Sequence, residues 1–143
     1  MSYKFHDDIS IADVAFEADG NTLEEVFVSS AEALTNTMVK DLKKIEQKIE
    51  KKFKINADNV EKLLHNFLEE LIYYKDAKLL LFIKYDIKIS KESKGYVLTA
   101  KLKGEKLDMK KHELLVDVKA VSWHMFELKK ERNGWVAFVI LDI

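Results

Sequence analysis

The stretch VEKLLHNFLEELI, residues 60–72, decides the fold. Val60, Leu63, Leu64, Phe67, Leu68, Leu71 and Ile72 recur at steps of three and four, so they share one wide stripe of an α-helix. A stripe of that width needs a flat apolar surface to lie on, and a β-sheet supplies one. Asp58, with Glu61 three residues later, is predicted to cap the helix start, because a carboxylate there accepts an early backbone N–H while the Glu reaches back. His65 falls opposite the stripe and is predicted to be solvated.

Working outward, a second helix is predicted from Thr22, whose hydroxyl stands three residues before Glu25 in the capping-box spacing. Leu23, Val26, Phe27, Leu34 and Met38 form its apolar face. Residues 5–18 alternate roughly (Ile9, Ile11, Val14, Phe16, Ala18) and read as one opening strand, or as two short ones kinked near Asp13, before an Asp19-Gly20-Asn21 turn. Between the helices, the lysine-rich residues 41–50 fit either period, and a strand over 49–57 is favoured. Downstream everything reads as strand and turn. Ile83, Tyr85, Ile87 and Ile89 alternate with polar residues; Lys94-Gly95 turns the chain, and residues 96–103 return as a hairpin partner. Residues 104–113 read as a charged connection, and 116–128 as mostly strand. Asn133-Gly134 marks a hairpin, and 135–140 read as a central strand buried on both faces. The expected fold is α+β: one domain over residues 1–143, with two amphipathic helices packed on mainly antiparallel β-sheet.

Composition bounds the function. At 143 residues and 48% hydrophobic, the chain can bury a single core. There is no cysteine, which excludes disulfides and thiolate metal sites. The 24 Lys+Arg nearly balance 25 Asp+Glu, so a protein partner is a better first expectation than free RNA, and neither DNA nor a membrane is expected. The charged start lacks a signal-peptide core, and the longest apolar run, 136–141, is too short to span a bilayer, so a soluble, cytoplasmic protein is expected.

No nucleophile–base pair, phosphate-cradling loop or dinucleotide fingerprint is present. His6, His65, His112 and His124 lack metal-ligand spacing, and His124 reads as a surface residue of a strand. More informative is the end of the chain, where an apolar strand runs into Asp142-Ile143 and places a side-chain carboxylate beside a main-chain carboxylate. Two nearby anions repel, and a hard cation relieves that repulsion. Asp13 is the candidate third ligand, although an aspartate between apolar residues also serves as a turn former or edge-strand charge. Periodicity does not bring Asp13 and Asp142 together, and a solvated terminus is the alternative.

Several motifs resemble one family. Ala12-Asp13 followed by GNTLEEVF (residues 20–27), Leu64 with FLEEL (67–71), Gly104-Glu105 with KHE (111–113), VKAVSWH (118–124) and the closing VILDI (139–143) look like the successive motifs of the archeases. The match runs in order over nearly the whole chain. The resemblance implies a non-catalytic activator of the RtcB-type tRNA-splicing ligase. Such an activator promotes formation of the ligase's guanylylated histidine, supports multiple turnover and broadens nucleotide use, meeting tRNA only through the ligase. It also implies a divalent metal ion, calcium first and magnesium or manganese as alternatives, on Asp13, Asp142 and the main-chain or terminal carboxylate of Ile143. Lys111, His112 and Lys119 match family positions and are candidates for partner contact, against a reading as solvated surface charge. The sequence departs from the family at Ser10, where a His is usual, and at Ile11, Ser122 and Trp123. A chaperone-like or RNA-modification adaptor is the alternative function. A metal-dependent hydrolase is disfavoured, because no second cluster of acids and bases stands at useful spacing.

Overall fold

The computed structural model describes residues 1–6 and 13–143. The elements are β1 (Ser2–His6), β2 (Asp13–Gly20), α1 (Leu23–Met38), a short 3-10 turn (Leu42–Lys44), β3 (Ile49–Ala57), α2 (Val60–Lys78), β4 (Leu80–Glu92), β5 (Gly95–Lys106), β6 (Ala120–Glu131) and β7 (Gly134–Asp142). They form two antiparallel sheets, ordered β1-β2-β7-β6 and β3-β5-β4. This is the expected α+β class, but the strands divide into two sheets, and each helix touches both. Phe16, Phe27, Phe67, Leu34 and Leu102 fill the core where helices and sheets meet. Phe67 stands 5.8 Å from Phe27 and 6.3 Å from Phe53, linking α1, α2 and β3.

Local chemistry explains most boundaries. The Thr22 hydroxyl accepts from the Glu25 N–H at 3.1 Å, as its spacing predicts. At α2 the cap is Asn59 rather than Asp58: the Asn59 carboxamide oxygen accepts from the Lys62 N–H at 2.9 Å. Asp58 lies one residue too early and instead pairs with Lys62 at 3.7 Å. The opening segment is two strands, β1 and β2, paired with each other. The Ile9, Ile11 and Ser10 readings fall outside the described residues.

The predicted connection over 104–113 is strand as far as Lys106, because Gly104 lets β4 and β5 approach closely. A methyl group there would stand 1.8 Å from the Leu81 carbonyl oxygen. Gly104→Ala is therefore expected to cost about 2–3 kcal/mol of folding stability, the range of an overpacked core position. Urea denaturation checks this, and an unchanged midpoint would contradict it.

His65 also departs from expectation. It is buried, its Nε2 lies 2.9 Å from the Val121 carbonyl, and its ring stacks on Trp123 at 3.8 Å. One apolar stripe suggests one covered face, but α2 also packs on β6, and that contact covers the flank carrying His65. Strand β6 begins at Ala120 rather than 116 and runs to Glu131, with its register broken between Ser122 and Glu127, where Met125 adopts φ 58°. His124 is exposed.

Candidate functional site

Strands β2 and β7 pair antiparallel with Asp13 opposite Asp142. Directly opposed residues of an antiparallel pair project to the same face of the sheet, about 4.5–5.5 Å apart at Cβ. The hydrophobic register Val14–Leu141, Ala15–Ile140 and Phe16–Val139 fixes this pairing, since a one-residue slip would turn Phe16 and Val139 out of the core. Two aspartates 129 positions apart thus meet because the apolar residues beside them must pack. Both are half-buried, as is the adjoining Ile143. Among the described residues, neither carboxylate has a basic side chain within ion-pair distance.

Paired carboxylates are hard oxygen donors of the kind a divalent cation takes, and the imidazole of His6 lines the same groove as Asp13. Among the described residues no three His, Cys, Asp or Glu side chains group closely enough to hold a metal ion.

The flanks differ in character. Lys119 is exposed, and its N–H donates to the Asp142 carbonyl at 2.8 Å, which holds residue 119 next to the pair. On the other side, Asp13 joins Phe5, His6, Val14, Asn36, Thr37, Leu115 and Val116 around a groove of about 380 Å³. Leu115 is 51% exposed, and Phe5 and Val116 are each 39% exposed, so the part of the wall they form is apolar and open. Residues 114–119 are tied down at both ends. Leu114 bridges Val39, and Lys75 donates to the Asp117 carboxylate at 2.5 Å and to the Val118 carbonyl at 2.9 Å.

Lys111 and His112 lie elsewhere. His112 is 1% exposed, its Nδ1 accepts from the Asp108 N–H at 3.0 Å, and its Nε2 is 3.0 Å from Glu105. With Nδ1 accepting, the proton sits on Nε2 and is donated to the carboxylate. Lys111 donates to Glu105 at 2.9 Å and to Glu46 at 2.5 Å. Of the candidate contact residues Lys111, His112 and Lys119, the His112 ring is buried with both nitrogens engaged inside the fold. Sequence spacing gave no sign of this internal brace, because Glu46 and Glu105 are 59 positions apart.

A domain whose described residues form two helices and two sheets, with paired carboxylates beside an exposed apolar edge and no nucleophile–base pair among them, is the class this architecture defines. The profile of the Archease protein family (MTH1598/TM1083) matches residues 3–143. The chain is 40% identical to Protein archease of Pyrococcus abyssi over 133 residues, covering 92% of this chain and 93% of that one. It is 38% identical to Protein archease of Pyrococcus furiosus over the same span and shares. Its fold superimposes on the solution structure of Methanobacterium thermoautotrophicum protein 1598 with a TM-score of 0.84, at 34% identity, covering 99% and 98% of the two chains. A Thermotoga maritima archease shares the fold with a TM-score of 0.60 at 19% identity, covering 96% and 98%. The chain belongs to the archease family. No helix among the described residues is long and apolar enough to cross a membrane.

Proposed function

We propose that this protein is a non-catalytic activator of an RtcB-type tRNA-splicing ligase. It promotes formation of the ligase's guanylylated intermediate, supports repeated turnover and broadens nucleotide use. The observation that carries the reading is the in-register pairing of Asp13 with Asp142, next to Ile143. These residues would hold a divalent ion, calcium first and magnesium or manganese as alternatives, which when bound supplies positive charge that phosphate oxygens can meet.

The chain's own residues do the rest. Asp13 and Asp142 fix the position of the acidic pair through the sheet, and the apolar wall of Phe5, Leu115 and Val116 offers desolvated area to a protein partner. Lys119, at the same edge, is the side chain suited to a charged contact with the ligase. Lys111 is half-exposed and reaches a partner only at the expense of its bond to Glu46. The protein would act in the cytoplasm, with tRNA met as the ligase's substrate.

The test is ligation by substoichiometric ligase. Ligase alone is expected to stop after about one turnover, and addition of this protein to sustain many. Asp13→Asn is expected to return the reaction to the single burst. If that variant stimulates as wild type does, the acidic pair is not the working site.

A further inference from the structure

Whole-chain charge balance conceals a strong local segregation. On the outer face of the β3-β5-β4 sheet, alternate residues form three successive rungs. They are Glu50–Lys103–Lys84, Lys52–Lys101–Asp86 and Lys54–Thr99–Lys88. Six lysines therefore share this face with two carboxylates, in a protein whose net charge is −1. Among the described residues, the ion pairs on the face are Lys52–Glu50 at 4.0 Å and Lys101–Glu50 at 3.7 Å, and none forms at Lys54, Lys84, Lys88 or Lys103. A hollow of about 310 Å³ opens among Lys52, Asp86, Lys88, Thr99 and Lys101.

Protection of sheet edges is the ordinary reason for lysines on strands. It accounts for β3 and β4, which are the edges here, but not for Lys101 and Lys103 on the central strand β5. Those two stand directly opposite Lys52 and Lys84, and like charges in that position cost stability. A face that pays this cost and leaves most of its ammonium groups unneutralised is complementary to a polyanion. The lysines repeat about 6.7 Å apart along each strand and about 4.8 Å between strands, which is an extended lattice rather than a pocket for a single anion. The face presents no aromatic side chain to stack on a base and no large apolar side chain to enter a bilayer.

We propose that the outer face of this three-stranded sheet binds the phosphodiester backbone of single-stranded nucleic acid without reading its sequence. The inference rests on the charge lattice alone and does not require the activator reading, since its test contains no ligase.

The experiment is fluorescence anisotropy of labelled RNA and DNA strands of about 20 nucleotides, titrated with the purified protein between about 50 and 200 mM salt. Binding is expected to weaken linearly on the log–log scale. Lys101→Gln/Lys103→Gln and Lys54→Gln/Lys88→Gln are each expected to lower affinity about tenfold or more at the lowest salt and to reduce the slope by about 1.4, the value for two lost phosphate contacts. Lys43→Gln/Lys44→Gln, the same charge change on an exposed turn outside the three strands, is expected to bind as wild type. Melts followed by circular dichroism establish that each variant is folded. Binding of either strand type supports the backbone reading, and the ratio shows which is preferred. The proposal is overturned if neither strand binds, if the control double loses as much affinity as the face doubles, or if polyglutamate or phosphatidylserine vesicles bind the face in preference to the strands.

Discussion

Replacing Glu105 with alanine is expected to lower folding stability by about 3 kcal/mol, the scale of removing one partner from a buried charged cluster. Glu105 is 5% exposed and accepts hydrogen bonds from Lys111, from the Glu46 N–H at 2.7 Å and from His112. Burial by itself would push its carboxyl up. Lys111, the Glu46 N–H and His112 together outweigh that and hold it down at about 2. Its folded value thus lies below its unfolded one. The stabilisation is complete above about pH 4.5 and is lost as pH falls toward 2. Urea midpoints measured across that window check this. Wild type is expected to lose stability steeply on acidification. Glu105→Gln is expected to be weaker at neutral pH and flatter in acid, with a residual slope from Glu46, whose carboxyl Lys111 and Lys48 also hold low. Parallel curves for the two proteins would mean that the brace does not contribute.

That brace bears on the proposed site, because it anchors the start of the segment that carries Leu115, Val116 and Lys119. Asp108 to His112 form a tight turn in which the His112 N–H donates to the Asp108 carbonyl at 2.7 Å, and Glu105 holds that turn to the sheet. Lys75 holds the far end. A weakened brace is therefore expected to loosen the apolar edge before it unfolds the domain.

How much of this was legible in the sequence follows from what each reading depended on. Local signals carried far. Thr22 and its helix, the strand over 49–57, the Lys94-Gly95 and Asn133-Gly134 turns and the apolar stripe of α2 all rest on neighbours a few residues apart, and the structure agrees with each. Asn59 displaced Asp58 because both residues can cap and only backbone geometry decides between them. Other departures come from distant partners. His65 looked solvated because its cover is β6, more than 50 residues away. The lysine lattice was invisible because its rungs join three separated strands, and the overall charge cancels. The Asp13–Asp142 pairing was inferred only from the resemblance, since no periodicity relates opposite ends of a chain. The register that creates it is set by Phe16, Val139 and Leu141.

Asp142→Asn is expected to weaken calcium binding by about 100-fold, since one of two carboxylates is removed from a site whose affinity follows its ligand charge. Isothermal titration calorimetry checks this, and Asp13→Asn is expected to match it. The double variant is expected to lose little beyond either single one, because the two residues act as one site. Folding stability separates this reading from a merely structural role. Without metal, two carboxylates directly opposed across β2 and β7 repel, so either substitution is expected to leave stability unchanged or to raise it by about 0.5 kcal/mol. With calcium at about 100 times its dissociation constant, wild type is expected to gain about 2.7 kcal/mol and the variants almost none. The order of stabilities thus inverts between chelator and calcium. If wild type binds no calcium, magnesium or manganese, or if the substitutions lower stability equally in both conditions, the paired aspartates serve the sheet and not a cation.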